Sequence, residues 1–178
     1  MPVAQYDRLQ YIRRLMAMLG TTLEIRQDNL ESNQVIALIR DHLAAMEPTA
    51  PPESRHALDL DGLRSADVTF WAVWDGETLA GIGALKQLSP EHAEIKSMKT
   101  ALQYLRKGIA SRMLNHLMIE AKLRGYRQLS LETGSMAFFE PARNLYKSFG
   151  FTECGPFGTY ALDPNSVFMT RYIENKPD

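Results

Sequence analysis

Three strand-like runs stand in succession in this chain, and they limit its fold more than any other feature: VTFWAVW (68–74), TLAGIGALKQL (78–88) and HAEIKSMKT (92–100). The links between them, DGE and Ser89-Pro90, are short turns, so the three runs form an antiparallel meander. The meander cannot continue past residue 100. Over 105–124 the pattern becomes helical, with Leu105, Ile109, Met113, Leu117 and Ala121 recurring every fourth residue and Gly125 at the capping place. RQLSLET (127–133) follows, and a strand reached through a helix ordinarily lies parallel to the strand before that helix. The sheet must therefore be mixed.

The flanks complete the same domain. TLEIR (22–26) reads as a first strand, and residues 29–46 place Val35, Ile36, Leu38, Ile39 and Leu43 on one helical side. EPTAPPES (47–54) is a proline-rich loop, and ESRHALDLDGL has no clean period, which marks a surface that varies with substrate. Residues 140–149 form a shorter helix closed by Gly150, and FTECG and SVFMTRYI supply two closing strands. The order β-α-βββ-α-β-α-ββ predicts one α/β domain over 21–178, with a mixed, mostly antiparallel central sheet and helices on both faces. Ahead of it, Val3, Tyr6, Leu9, Ile12, Met16 and Leu19 predict an amphipathic helical extension over 1–20, a packing or dimer-forming appendage.

Charge and composition exclude several partner classes. Twenty Lys and Arg against twenty-one Asp and Glu leave a net charge of −1, without the basic field that nucleic acid requires. The single Cys154 rules out an internal disulfide, and His42, His56, His92 and His116 lack metal-site spacing, so no metal is expected. Without a membrane-length apolar run, no membrane association is expected and the cytoplasm is the expected compartment.

RKGIASRM (106–113) lies where the meander gives way to the helix. Helix-start N–H groups have no intrahelical partner and attract anions, Gly108 allows close approach, and Arg106 and Lys107 add charge. Read alone, the segment fits a phosphate site or an ordinary helix start. Its company decides: with Met98-Lys99-Thr100 at the end of the fourth strand, and Ala142, Leu145, Tyr146, Gly150 and Phe151 later, the chain resembles the GNAT superfamily of acyl-CoA-dependent N-acetyltransferases over nearly all of residues 22–173. ESRHALDLDGL, EIKSMKT, LSLETGS and DPNSVFM resemble its YsnE-type bacterial subgroup.

The resemblance implies acetyl-CoA as co-substrate, with its pyrophosphate on Arg106, Lys107, Gly108, Ile109, Ala110 and Ser111 and its thioester near Met98, Lys99 and Thr100. Three positions depart from the family pattern, Leu102, Leu105 and Phe139, and imply weaker coenzyme contacts. The implied reaction is acetyl transfer to a primary amine of a small molecule, by direct attack through a tetrahedral intermediate. Such an amine attacks only as the free base, so a base is required. The family comparison places it at Glu132, with Tyr146 as the acid for the departing thiolate. His56 and Glu94 are reserve bases on the acceptor side, where Phe139 can line a pocket. By the two-residue strand period Glu94 shares a face with Lys96 and Met98, so pairing with Lys96 competes with a role in the site. Phe70, Trp71 and Trp74 are expected in the core. A non-catalytic acyl-CoA-binding or dimeric regulatory module is the competing class, and a protein N-terminal acetyltransferase is a further reading; a homodimer stays open.

Overall fold

The computed structural model describes residues 23–173. The expected extension over 1–20 lies outside these residues. In chain order the elements are β1 (Leu23–Gln27), α1 (Asn33–Met46), a one-turn α2 (Leu60–Leu63), β2 (Val68–Asp75), β3 (Thr78–Ser89), β4 (His92–Thr100), α3 (Ile109–Leu123), β5 (Gln128–Gly134), α4 (Glu140–Ser148), β6 (Thr152–Cys154) and β7 (Ser166–Tyr172). The strands make one seven-stranded sheet in the order β1-β2-β3-β4-β5-β7-β6. Only β4 and β5 pair in parallel, as the helical crossover requires.

Alternation along β2 sorts the core into two layers. Phe70, Ala72 and Trp74 point to one face, where they meet Val35, Leu38 and Ile39 of α1. Trp71 and Val73 point to the other and pack with Ile109, Met113 and Leu117 of α3 and Tyr146 of α4. The period of two in the strand and of three to four in the helices thus place helices on both faces. Close approach of α3 depends on Gly83 in β3, where a Cβ would lie 2.7 Å from Met113 Cγ and 3.1 Å from Met98 Sδ.

Two helices start later than their apolar periodicity suggests. Asp28 accepts a hydrogen bond from the Leu30 amide (2.8 Å), Leu30 takes φ 63°, and α1 begins only at Asn33. Residues 105–108 do not begin α3 either. Leu102–Tyr104 form a 3-10 turn, and Arg106 (φ 61°) and Gly108 (φ 78°) are left-handed, so the helix starts at Ile109. Side-chain pattern reports which face a residue occupies, whereas these starts were set by backbone turns that the pattern does not report. The strand order near the C terminus was also not readable: β7 lies between β5 and β6, although β6 precedes it in the chain.

The packing between sheet and α3 yields a stability test. Leu117 is fully buried at the centre of that layer. Leu117→Ala should lower unfolding free energy by about 2–5 kcal/mol, read as a lower midpoint in urea denaturation followed by circular dichroism.

Candidate active site

The sheet does not stay closed along its length. β4 and β5 pair only through His92↔Gln128, Ala93↔Leu129 and Glu94↔Ser130. Beyond these, β5 keeps its partner β7 as far as Gly134↔Ser166, and β4 keeps β3 as far as Thr100↔Gly81. Two halves of the sheet therefore diverge between residues 95–100 and 131–134. Backbone groups along these facing edges have no ladder partner across the gap, which leaves them available to a ligand or water.

A bulge in β4 accompanies the divergence. The register passes from Ala84↔Lys96 to Ile82↔Lys99, so two residues, Ser97 and Met98, face Gly83 alone. Ser97 takes φ 54°, left-handed and unusual for serine, and its hydroxyl is buried without a hydrogen-bond partner. The bulge corrects one expectation. Met98 does not share a face with Glu94 and Lys96, because the extra residue turns it toward α3, where it packs with the layer that holds Ile95 and Met113.

A cavity of about 380 Å³ occupies the divergence. Residues 95–100 form one wall and Glu132, Thr133 and Gly134 the other. One end reaches Leu105, Ile109 and Ala110 at the start of α3, and Ala142, Leu145 and Tyr146 of α4; the other reaches His42 and Met46 of α1 and His56. The helix start carries no side-chain cap, its N-cap being the left-handed Gly108. Its first amides are thus available at that end of the cavity.

The sequence-selected residues divide clearly. Met98, Lys99, Thr100, Ile109, Ala110, His56, Phe139, Glu132 and Tyr146 all line the cavity. Arg106, Lys107, Gly108 and Ser111 stand outside its lining, around the turn that leads into α3, with the Lys107 ammonium 5.1 Å from the centre of the Tyr104 ring. Glu94 is not in the lining. It is 3% exposed and bound to Lys96, whose Nζ donates to Glu94 Oε1 (3.0 Å), to Tyr160 Oη (2.8 Å) and to the His56 carbonyl (2.9 Å). Tyr160 in turn donates to Glu94 Oε1 at 2.5 Å. The competing expectation, a Glu94–Lys96 pair, is the arrangement observed.

Burial gives Glu132 and Tyr146 distinct electrostatics. Desolvation pushes the Glu132 carboxyl up, opposed by the Ser166 hydroxyl, which donates to Oε1 at 2.7 Å, and by His56 and Lys96 nearby. Desolvation alone pushes the Tyr146 phenol far up, so it stays protonated at neutral pH. His42 falls to about 4, first through burial and then through Lys99 and Lys96.

Several site residues escaped sequence reasoning. Tyr160 lies in an irregular segment with no periodicity to mark it, and its ring stacks edge-on against His56 with centroids 5.0 Å apart. Ser166 opens β7, and only the Glu132↔Phe168 and Gly134↔Ser166 register brings its hydroxyl to Glu132. Asp163 and Asn165 organise the turn before β7, where Asp163 Oδ1 accepts from the Asn165 amide at 2.8 Å. His42 gave a signal only as one polar residue in α1. Among the described residues no group of three or more His, Cys, Asp or Glu could hold a metal, and no helix is long and apolar enough to cross a membrane.

The comparisons with known proteins agree with this geometry. The sequence pattern of the Acetyltransferase (GNAT) family matches residues 35–151. The chain is 56% identical over 151 residues to the uncharacterized N-acetyltransferase YsnE of Bacillus subtilis (strain 168), covering 85% of this chain and 100% of that protein. Its fold superposes on an acyl-CoA N-acyltransferase from Klebsiella pneumoniae with a TM-score of 0.71 and 27% identity, covering 86% of this chain and 99% of that one. A Bacillus subtilis acetyltransferase solved in complex with CoA has the same fold at a TM-score of 0.64 and 18% identity, covering 86% of this chain and 100% of that one. An uncapped helix start at one end of an opened sheet, in a chain with these relatives, leads to one assignment: the protein belongs to the GNAT family of acyl-CoA-dependent N-acetyltransferases.

Proposed function

We propose that this protein transfers the acetyl group of acetyl-CoA to a primary amine of a small molecule, with Glu132 as base and Tyr146 as acid. The observation that carries the proposal is the divergence of β4 and β5: it puts Glu132, Tyr146 and the start of α3 on one cavity. The residues fit the donor. Amides from Gly108 to Ser111, with Arg106 and Lys107 beside them, receive the pyrophosphate, and the edge from Met98 to Thr100 receives the neutral arm. The unpartnered Ser97 hydroxyl and the bulged backbone leave hydrogen-bonding groups along that edge without partners in the sheet. Leu105, at the position where the family carries a polar side chain, lines the same end, and backbone amides take over the anion contact.

The thioester supplies an activated carbonyl carbon; the chain supplies proton control. Glu132 takes the proton of the ammonium acceptor, directly or through water. Burial raises its carboxyl pKa, which brings it closer to that of an amine near 10 and eases the transfer. Tyr146, kept protonated by burial, gives its proton to the leaving sulfur and is restored by the second proton that the acylated nitrogen sheds, directly or through water. A backbone N–H of the Met98–Thr100 edge stabilises the negative charge that develops on the carbonyl oxygen. The small cavity favours a metabolite over a folded protein as acceptor.

Two variants test the assignments. Glu132→Gln should lower turnover at neutral pH by about 10²–10⁴-fold and recover part of it at alkaline pH, where more amine is already free base, as measured by coenzyme A release against a panel of amines and short peptides. The same variant carries a stability signature. A raised folded-state carboxyl pKa means that stability is present below the ordinary carboxyl range and is lost as pH rises through the raised value. Glu132→Gln keeps an acceptor for Ser166 and cannot ionise, so its melting temperature should exceed wild type at neutral pH and converge on it at about pH 4. Gly108→Glu places a like charge at the helix start and a side chain at φ 78°; calorimetric titration should show acetyl-CoA affinity lost.

A further inference from the structure

The bulge in β4 also decides which cations meet the acceptor half of the cavity. In a regular strand Lys96 and Lys99 would lie on opposite faces. With Met98 turned to α3, Lys99 joins Lys96 on the face that carries α1, and both act on His42 of that helix. The two lysines are not equivalent. Lys96 spends its three donors on Glu94, Tyr160 and the His56 carbonyl. Lys99 lines the cavity, and among the described residues no carboxylate lies within 4.0 Å of its ammonium.

Among the described residues, the rest of that end carries no negative charge to answer a cation. Ala45, Met46 and Ala57 are apolar, and His42, held neutral by burial and by the two lysines, has a ring N–H to donate. Glu132, on the opposite wall, is the one carboxylate of the lining among the described residues and is already assigned to the amine. The coenzyme does not answer Lys99 either. Its phosphates belong at the start of α3, which packs on the other face of the sheet, and its pantetheine arm is uncharged. A cation left without a counter-charge on a partly buried wall is stabilised when an anion arrives there.

We propose that Lys99, with His42 as a second hydrogen-bond donor, forms an acceptor-anion site, so that the amine acetylated by this enzyme also carries a carboxylate, as an apolar amino acid does. The ammonium end of the acceptor goes to Glu132, the carboxylate to Lys99, and the side chain to the apolar wall of Ala45, Met46 and Ala57. This inference rests on the amine-acetylation reading and narrows its substrate class.

The test compares acceptors that differ only in the carboxylate: L-leucine against isopentylamine, and L-phenylalanine against phenethylamine. For the full chain and for Lys99→Met and Lys99→Arg, kcat/KM is measured with saturating acetyl-CoA, and each amine is also titrated calorimetrically into protein saturated with coenzyme A, where no turnover occurs. Wild type should prefer the amino acids, and Lys99→Met should reduce the preference by about 10–100-fold, the worth of one hydrogen bond to a charged group. Lys99→Arg should restore most of it, which a merely structural lysine would not predict. An unchanged preference in Lys99→Met, an equal loss on both members of each pair, or a wild-type preference for the decarboxylated amines would overturn the inference. Lys99-dependent leucine binding without coenzyme A release from any amine would uphold the anion site and remove the amine-acetylation reading instead.

Discussion

Everything distinctive in this molecule depends on the loss of pairing between β4 and β5 after three residue pairs. A sheet that stayed zipped would satisfy its own backbone and leave no room between these strands. Here the ladders to β3 and β7 continue on either side, so each half keeps its own hydrogen bonds while the gap widens. The bulge at Ser97 and Met98 supports the opening by adding a residue and local twist to β4. It also reorients the strand's side chains, turning Met98 toward α3 and Lys99 toward α1, both along the cavity. One local irregularity thus shapes both the edge of β4 and the cavity wall that carries Lys99.

Electrostatics within the opening depends on which charges are already engaged. Lys96 and Glu94 are 7% and 3% exposed, and Tyr160 closes their contact, so this trio acts as a strut between β4 and the segment ahead of β7. Removing one member would strand the others in a poorly solvated place, which is where buried pairs exert their largest effect. Because the trio neutralises itself, Glu132 and Lys99 are the side chains of opposite charge left along the cavity wall among the described residues. Burial then tunes the rest: it keeps Tyr146 a proton donor, raises Glu132, and leaves His42 uncharged beside two lysines.

Much of the architecture was readable before any coordinates. The meander, the amphipathic run beginning near Leu105 and the strand after Gly125 require a mixed sheet with a crossover helix, because periodicity reports which face is apolar and turn residues report where the chain reverses. Resemblance to the family then pointed to Glu132, Tyr146 and Met98 to Thr100, all of which line the cavity. The element starts at Asn33 and Ile109 were less readable, since left-handed turns at Leu30, Arg106 and Gly108 are matters of backbone conformation and only glycine advertises one.

What the sequence by itself determined is the set of main elements and the faces they bury, properties of residues close together along the chain. What only the tertiary structure decided is every relation across the sheet. The bulge removed Met98 from the face that Glu94 and Lys96 share. The β7 register brought Ser166 to Glu132, and the segment before β7 carried Tyr160 onto a lysine 64 positions away. The physical reason is that hydrogen-bond register and charge pairing between distant segments are fixed when strands dock, and no local pattern of apolar and polar residues encodes where a ladder slips by one residue or stops.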